Sequence, residues 1–167
     1  MSNFHPTAKL IAVSDKKGHT IAVLNNILSC CERGSYCVAP AGEPLPPNIT
    51  PAVLLLCDEE KIADAELFSA CVACYEFAAL PELAALHPLT YSIKSDCADF
   101  TARNIRQTPD GFIAFEIVGV GVIGRVKLAV HTEESVQVLL AAASALVACG
   151  IPFAEVLNVL NNMHIED

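Results

Sequence analysis

Residues 9–21 read KLIAVSDKKGHTI, and this stretch decides which fold the chain adopts. The apolar run from Leu10 to Val13 is typical of a buried strand. Gly18 then begins a segment with apolar residues at helical spacing, which predicts a helix that ends at Glu32. A buried strand, a short polar loop with a glycine and a helix together have the build of a phosphate-binding loop.

The loop has lost the residues that phosphate chemistry needs. A working loop has small residues, so that backbone N–H groups reach the phosphate oxygens, and a lysine that neutralises them. Here Asp15 places a carboxylate at the start of the loop, and His19 occupies the position of the lysine. Two interpretations follow. The loop could keep a vestigial anion site, or the lysines could form a solvated turn while Asp15 or Thr20 caps the helix, which is the interpretation we prefer. The vestigial site would consist of Lys16, Lys17, Gly18, His19 and Thr20.

This loop resembles the nucleotide loop of Mur ligases, the ATP-dependent enzymes that add amino acids to peptidoglycan precursors. The loop of that family reads Gly-Thr-Asn-Gly-Lys-Thr-Thr after a strand of the Ile-Ala-Val-Thr type. Gly18 and Thr20 match it, whereas Asp15, His19 and Ile21 stand in place of glycine, lysine and threonine.

Two further matches support the resemblance. Leu89–Ile93, Ala98–Ile105 and Asp110–Phe115 resemble two strands and a hairpin near the end of the Mur central domain. Val136–Ile151 resembles the alanine-rich helix and the Gly-Ile-Pro turn that close that domain. The matches follow the order of the family from about Lys9 to Met163. The resemblance implies the P-loop-like fold of the Mur ligase central domain.

The departures from the family imply that ligase activity is lost. Leu56 stands at the position of a magnesium-binding glutamate, and residues 132–135 do not match the family's Gly-x-His-Asn. His131 lies three positions out of register. Residues 60–89 are far fewer than in the family and have no counterpart of its second metal-binding histidine or its modified lysine. Its two flanking domains also have no counterpart, so we expect residues 1–167 to form one degenerate, shortened central domain.

Composition limits the partners of the protein. The formal charge is -9, from 19 acidic and 10 basic residues, and this balance disfavours nucleic acid. No apolar run reaches the about 18 residues of a membrane span, and no signal peptide is recognisable, so a cytoplasmic location is expected. Hydrophobic residues make up 53% of the chain. That content predicts contact with another protein, most simply in a homodimer.

The cysteines are expected to be structural. With no secretory signal, reduced thiols are the default, and buried thiols behave as small hydrophobic side chains. Cys71 and Cys74 have redox-motif spacing, but their neighbours suggest core packing in a helix over Ala63–Ala79. We therefore expect no metal site and no cofactor. The eight cysteines are Cys30, Cys31, Cys37, Cys57, Cys71, Cys74, Cys97 and Cys149.

The order of elements predicts an α/β fold with three layers. Its mixed sheet should be parallel in the first half and formed by antiparallel hairpins later. An irregular loop is expected over Pro40–Pro51, because it holds five prolines. Thr132 should cap a helix that Gly150 ends, and Pro152 should begin the last helix. The predicted strands are 9–13, 36–39, 53–57, 89–93, 99–107, 111–118 and 122–130.

Three functions are compatible with these observations. The first is a non-catalytic Mur-like domain, linked to cell-wall precursor metabolism, that acts by protein association or self-assembly. The second is a binder of a small anion or nucleotide at the helix N-terminus after Gly18. The third is an ATP-dependent ligase of the Mur type. Loss of the loop lysine and the metal glutamate argues against an enzyme, since each serves a separate need of phosphoryl transfer. The first function is preferred, and no catalytic residue is expected.

Overall fold

A computed structural model of the protein describes residues 8–31, 36–59, 62–128 and 132–163. The predicted end of the first helix at Glu32 and the predicted end of the last strand at Val130 lie outside these residues, as does His131. The strands are β1 (Ala8–Ser14), β2 (Tyr36–Pro40), β3 (Ile49–Leu56), β4 (Ala70–Cys74), β5 (Leu89–Ser92), β6 (Phe100–Gln107), β7 (Ile113–Gly119) and β8 (Val122–Leu128). The helices are α1 (His19–Cys30), α2 (Pro81–Ala84), α3 (Glu133–Ala148) and α4 (Phe153–Asn162), with a 3₁₀ turn at Ala65–Leu67.

The eight strands form one sheet in the order β2-β1-β3-β4-β5-β6-β7-β8. Every neighbouring pair from β2 to β6 is parallel, and the β6–β7 and β7–β8 pairs are antiparallel. The predicted mixed sheet of an α/β fold is therefore confirmed. No helix among the described residues is both long enough and apolar enough to cross a membrane.

Helices α1, α3 and α4 cover one face of the sheet, which we call the helix face. The alternation of β3 shows how the two faces are built, because Val53 and Leu55 pack under the helices while Leu54 and Leu56 point to the opposite face. All four side chains are at most 1% exposed. On the opposite face, Ala65 of the 3₁₀ turn and other short segments cover the first half of the sheet. Helices, sheet and this thinner cover make the three layers.

The helix signals behave as predicted at α3 and α4. Thr132 caps α3, since its Oγ1 accepts a hydrogen bond from the Ser135 backbone N–H at 3.2 Å. Gly150 ends the helix with a φ of 99°, a conformation that glycine adopts without strain. Pro152 immediately precedes α4, where a missing N–H leaves no partner unsatisfied.

The proline-rich segment is shorter than predicted. We expected Pro40–Pro51 to be irregular, but β3 begins at Ile49 and includes Pro51. The pairing of β1 with β3 shifts register at this point, since Leu10 pairs with Pro51 and the next residue pairs with Val53. A proline has no N–H for the ladder, and a bulge is one of the few places where a strand accepts it.

The predicted helix over Ala63–Ala79 is wrong. This segment forms the 3₁₀ turn and then strand β4, so Cys71 and Cys74 lie on a strand. Both faces of β4 are buried, with Cys74 on the helix face and Cys71 on the other. A strand that is buried on both sides shows no polar alternation, and its apolar positions also satisfy a helical period. Loss of the helix leaves both cysteines buried, as expected of core residues.

Helix α4 closes the fold against β8 at a glycine. An ideal Cβ at Gly124 would lie 2.2 Å from Leu157 Cδ1 and 2.9 Å from its Cγ. Beside it, Asn161 of α4 accepts a hydrogen bond from the Lys127 N–H at 3.1 Å and donates one to the Arg125 carbonyl at 3.0 Å. These bonds occupy part of the free edge of β8, which would otherwise be open to another strand.

We expect Gly124→Ala to lower the free energy of unfolding by about 1–3 kcal/mol, because the new methyl group forces Leu157 from its position. Denaturant unfolding measures the loss. The double variant Gly124→Ala with Leu157→Ala provides the control, since it restores the space. A double variant whose loss equals the sum of the two single losses would contradict the predicted contact.

Candidate functional site

The loop that the sequence singles out lies at the carboxyl ends of the parallel strands β1 and β3, where folds of this kind bind ligands. Residues 15–18 connect β1 to the N-terminus of α1. Gly18 has a φ of +73°, in the left-handed region that favours glycine, and its N–H donates to the Asp15 carbonyl at 3.1 Å. Beside this turn, the backbone N–H groups of Lys16, Lys17 and Thr20 have side-chain acceptors.

Carboxylates of the chain itself accept these N–H groups. Asp15 Oδ2 accepts from the Thr20 N–H at 2.9 Å, and Asp15 Oδ1 accepts from the Lys17 N–H at 3.1 Å. Asp58, two residues after β3, accepts from the Lys16 N–H at 2.6 Å. Of the two interpretations of the loop, this geometry is the one in which Asp15 caps the helix. The three N–H groups are donors that a bound phosphate would otherwise use.

The environment of Asp15 keeps it ionised. Partial burial alone would raise its pKa, but the hydrogen bonds from Thr20 and Lys17 outweigh that effect, so the pKa lies below its usual value. A carboxylate in this state adds a fixed negative charge next to the helix N-terminus, where the helix dipole stabilises it.

The lysine of the loop is also paired. Lys17 Nζ forms an ion pair with Glu134, in the first turn of α3. The hydrogen bond and charge of Glu134 raise the pKa of Lys17, and Lys17 in turn lowers the pKa of Glu134. Both side chains are more than half exposed, so the pair adds little to stability. Its effect is to place a third carboxylate at the mouth of the site.

Behind the loop lies a cavity of about 320 Å³ between α1, α3 and the sheet. Tyr91 and Cys57 line its inner part, and Gln137 lines it from α3. Burial raises the pKa of the Cys57 thiol to about 11 and raises the pKa of the Tyr91 phenol. Neither group is ionised near neutral pH, so neither provides a nucleophile or a base there.

A second polar cluster lies near the cavity at the ends of β4 and β5. Glu76 accepts hydrogen bonds from Cys74 Sγ at 2.9 Å and from Ser92 Oγ at 2.7 Å. Burial and the neighbouring Glu76 raise the pKa of Cys74 to about 12. Gln137 Nε2 lies 3.9 Å from the same sulfur. Because each polar group has a partner, this cluster serves to satisfy buried groups and shows no activated thiol.

The structure places the five predicted site residues together in the loop and the first turn of α1. Lys16, Lys17, His19 and Thr20 line the cavity, and Gly18 forms the turn between them. Their role in binding an anion stays a prediction. Leu56 packs on the opposite face of the sheet, away from the cavity. Sequence reasoning missed seven lining residues, which are Cys57, Asp58, Tyr91, Glu134, Gln137, Val138 and Ala141.

Asp58 alone of these had a usable signal, because it directly follows the end of a predicted buried strand. The others reach the site only through tertiary packing. The eight cysteines all lie within the described residues, and none of them forms a disulfide. Within the described parts of the chain, no group of three or more His, Cys, Asp and Glu side chains is placed to hold a metal ion.

Comparison with known proteins identifies the fold. No protein-family model matches the chain, and no curated protein matches its sequence. Solved structures do. MurF from Acinetobacter baumannii has a TM-score of 0.68 at 14% identity, over 96% of this chain and 46% of its own. MurC from Thermotoga maritima has a TM-score of 0.63 at 15% identity, over 94% of this chain and 45% of its own.

A pseudomurein peptide ligase type C from Methanothermus fervidus has a TM-score of 0.62 at 14% identity, over 95% of this chain and 50% of its own. The chain thus spans about half the length of these three proteins. At such identities the similarity establishes the fold and not the activity. The predicted resemblance to Mur ligases is confirmed at the level of the fold.

We expect Asp15→Ala to lower the free energy of unfolding at neutral pH by about 1 kcal/mol, the usual contribution of a side chain that caps a helix. Because the pKa of Asp15 is lowered by folding, its carboxylate stabilises the protein above the ordinary value of 3.8 and loses this effect as the pH falls through the folded value. The difference between wild type and variant should therefore shrink progressively as the pH falls below 3.8.

Denaturant unfolding at several pH values measures that difference. Glu59→Ala, which removes an exposed carboxylate near the same edge of the sheet, is the matched control. A loss for Asp15→Ala that is no larger than that of the control, or that does not change with pH, would contradict the capping role.

Proposed function

We propose that this chain is a non-catalytic, Mur-ligase-like domain that acts by associating with protein, first of all with a second copy of itself. The observation that carries the proposal is the position of the Asp15 carboxylate. It accepts the Thr20 and Lys17 N–H groups, which in a working loop would bind a phosphate. A domain whose loop already holds its own anion has no need of a nucleotide to complete it.

Electrostatics supports the loss of triphosphate binding. Asp15, Asp58 and Glu134 all line the cavity, and Lys17 is engaged by Glu134. A triphosphate in this place would meet three carboxylates and would have to displace two of them from backbone N–H groups. His19 stands at the lysine position of the resembled loop. The three carboxylates outnumber Lys16 and Lys17, so the cavity lacks the net positive charge that phosphoryl transfer requires.

The same three carboxylates count against a small-anion binder. A helix N-terminus attracts anions, but at α1 the attraction is already used by Asp15. A second anion would therefore be repelled by the first. For this reason we place binding of an anion or nucleotide behind association as a function.

Exposed apolar side chains support association. Val120 is 75% exposed, Ile123 is 67% exposed and Leu67 is 54% exposed. Hydrophobic residues form 53% of a chain that carries a net charge of -9. Val120 and Ile123 lie three residues apart around the turn between β7 and β8, and neighbouring exposed apolar side chains are typical of contact surfaces.

A link to cell-wall precursor metabolism follows from the fold by analogy only. The similar structure from Thermotoga maritima is named UDP-N-acetylmuramate-alanine ligase. We propose that the present domain works beside such chemistry without performing it. A partner protein other than a second copy is compatible with this role.

The wild-type protein is expected not to bind Mg-ATP with sub-millimolar affinity, because the loop donors are occupied. The double variant Asp15→Gly with His19→Lys empties the loop and restores its lysine, so its affinity for Mg-ATP should rise measurably. Isothermal titration calorimetry measures both. His19→Lys alone is the control, and it should gain little because Asp15 still occupies the loop. Sub-millimolar binding by the wild type would overturn the proposal, and equal gains for both variants would show that Asp15 is not the obstacle.

The protein is expected to be a dimer in solution at micromolar concentration. Light scattering after size-exclusion chromatography gives the mass directly, and a dimer would have twice the mass of 17.7 kDa. A monomeric mass across the micromolar range would show that self-association is wrong.

A further inference from the structure

The sheet face opposite the helix face is covered over only half of its width. Over β1, β3 and β4, the 3₁₀ turn and α2 cover this face. Ala65 of the turn and Leu83 of α2 pack against the strands. Over β6, β7 and β8 the basic side chains on the same face are exposed, with Arg125 89% and Lys127 53% exposed, whereas the short side chains of Thr101 and Ala114 are buried between them and the sheet. The cover therefore ends in a step partway across the sheet. We call the two parts the covered half and the bare half.

The pairing register shows which side chains share the bare half. Thr101 pairs with Val118, which pairs with Ile123, and Arg103 pairs with Glu116, which pairs with Arg125. A third row runs from Arg106 through Ala114 to Lys127. This one surface thus holds four of the ten lysines and arginines, namely Arg103, Arg106, Arg125 and Lys127.

Local acids balance this charge only in part. Arg103 lies 3.5 Å from Asp96, Arg125 lies 3.8 Å from Glu116, and Lys127 lies 2.9 Å from Asp110. Arg106 donates to the Asn104 carbonyl at 3.2 Å. Four cations against three anions leave the bare half slightly positive in a chain whose formal charge is -9.

The covered half carries the opposite charge. Residues 41–48, 62–69 and 75–88, which contribute its cover, contain no lysine or arginine. Glu66 and Glu82 lie at its surface, and both line a hollow together with Leu56 and Leu83. Asp64 and Glu43 line a second hollow there. The covered half is thus raised and acidic, whereas the bare half is recessed and basic.

We infer that this face is the surface on which two copies of the chain meet around a two-fold axis, with the covered half of each copy on the bare half of the other. This inference rests on the proposed self-association and names its surface. A two-fold contact must be self-complementary, and here both shape and charge meet that condition. It also places Leu67, on the covered half, and Ile123, on the bare half, inside the contact.

The size of the face suits a stable dimer. Three strands of about seven residues span roughly 14 by 23 Å, or about 300 Å² in projection. Each copy contributes a bare half and a covered half of similar size, and side chains enlarge the accessible area beyond the projection. The sum approaches the about 800 Å² per partner of a standard interface.

Charge reversal tests the surface. The first variant, Arg106→Glu with Arg125→Glu, makes both halves acidic, and the second variant, Glu66→Lys with Glu82→Lys, makes both halves basic. Each variant alone should be monomeric in light scattering, whereas an equimolar mixture should form a one-to-one dimer. Lys9→Glu with Lys94→Glu changes the net charge by the same amount as the first variant at positions outside the bare half, and this control should stay dimeric.

The outcomes separate the surface from self-association itself. A monomeric wild type overturns both. A dimeric wild type whose two reversed variants also remain dimeric, or whose control dissociates as they do, overturns this surface and leaves self-association intact. If circular dichroism shows that a reversed variant does not fold, the salt dependence of the wild-type dimer tests the surface instead. This dimer should weaken by about tenfold or more between 0.05 and 0.5 M salt, since screening acts on exposed charge pairs. A dimer that is unchanged or tighter at high salt overturns the surface.

Discussion

The hydrogen bonds from the loop N–H groups to Asp15 are the interaction on which the site depends. A helix that begins directly after a buried strand leaves several backbone donors pointing at one place, and these donors need an acceptor. In a phosphate-binding loop the ligand supplies it. Here Asp15 and Asp58 supply it from within the chain, at 2.6 to 3.1 Å.

An internal acceptor competes with any ligand at all times. Hydrogen bonds to a charged acceptor are worth about 1.5–3 kcal/mol each. A competing anion must displace the carboxylate from such bonds, and this lowers the affinity for the anion by about tenfold or more. The displaced carboxylate would also stay nearby and repel the newcomer. Where the resembled loop has a glycine, Asp15 provides this acceptor, so the start of α1 is capped from within the chain. The fold survives the change because the backbone needs an anion and not a nucleotide.

The elements that could be predicted from the sequence are those whose consecutive residues favour the same conformation as their position in the fold. Strand β1 is a short continuous apolar run that stops at a polar loop, helix α1 has apolar residues at helical spacing, and Thr132 caps α3 through its own side chain. The prediction failed over 63–79, where β4 lies in the sheet interior. Cys71, Ala73 and Val72 are buried on alternating faces, so no polar residue marks the period of a strand. Only the pairing of β4 with β3 and β5, which is not local, decides that this segment is extended.

The site was predictable to the extent that it is local. The loop residues 15–20 were found because they are consecutive, and Asp58 follows a strand that was recognised as buried. Glu134 was recognised only as an acidic residue in the first turn of α3, where it suits the helix dipole. Its pairing with Lys17 joins positions that are 117 residues apart and depends on how α3 packs beside α1. No pattern in one sequence records that contact.

The covered half and the bare half of the sheet coincide with its parallel and antiparallel parts. Strand β3 ends in Leu54, Leu55 and Leu56, because a parallel strand inside a sheet is buried on both faces. Strand β8 instead alternates Val126 and Leu128 with Arg125 and Lys127, which is the pattern of a sheet with one face toward solvent. The switch from continuous to alternating hydrophobicity thus marks where the cover ends.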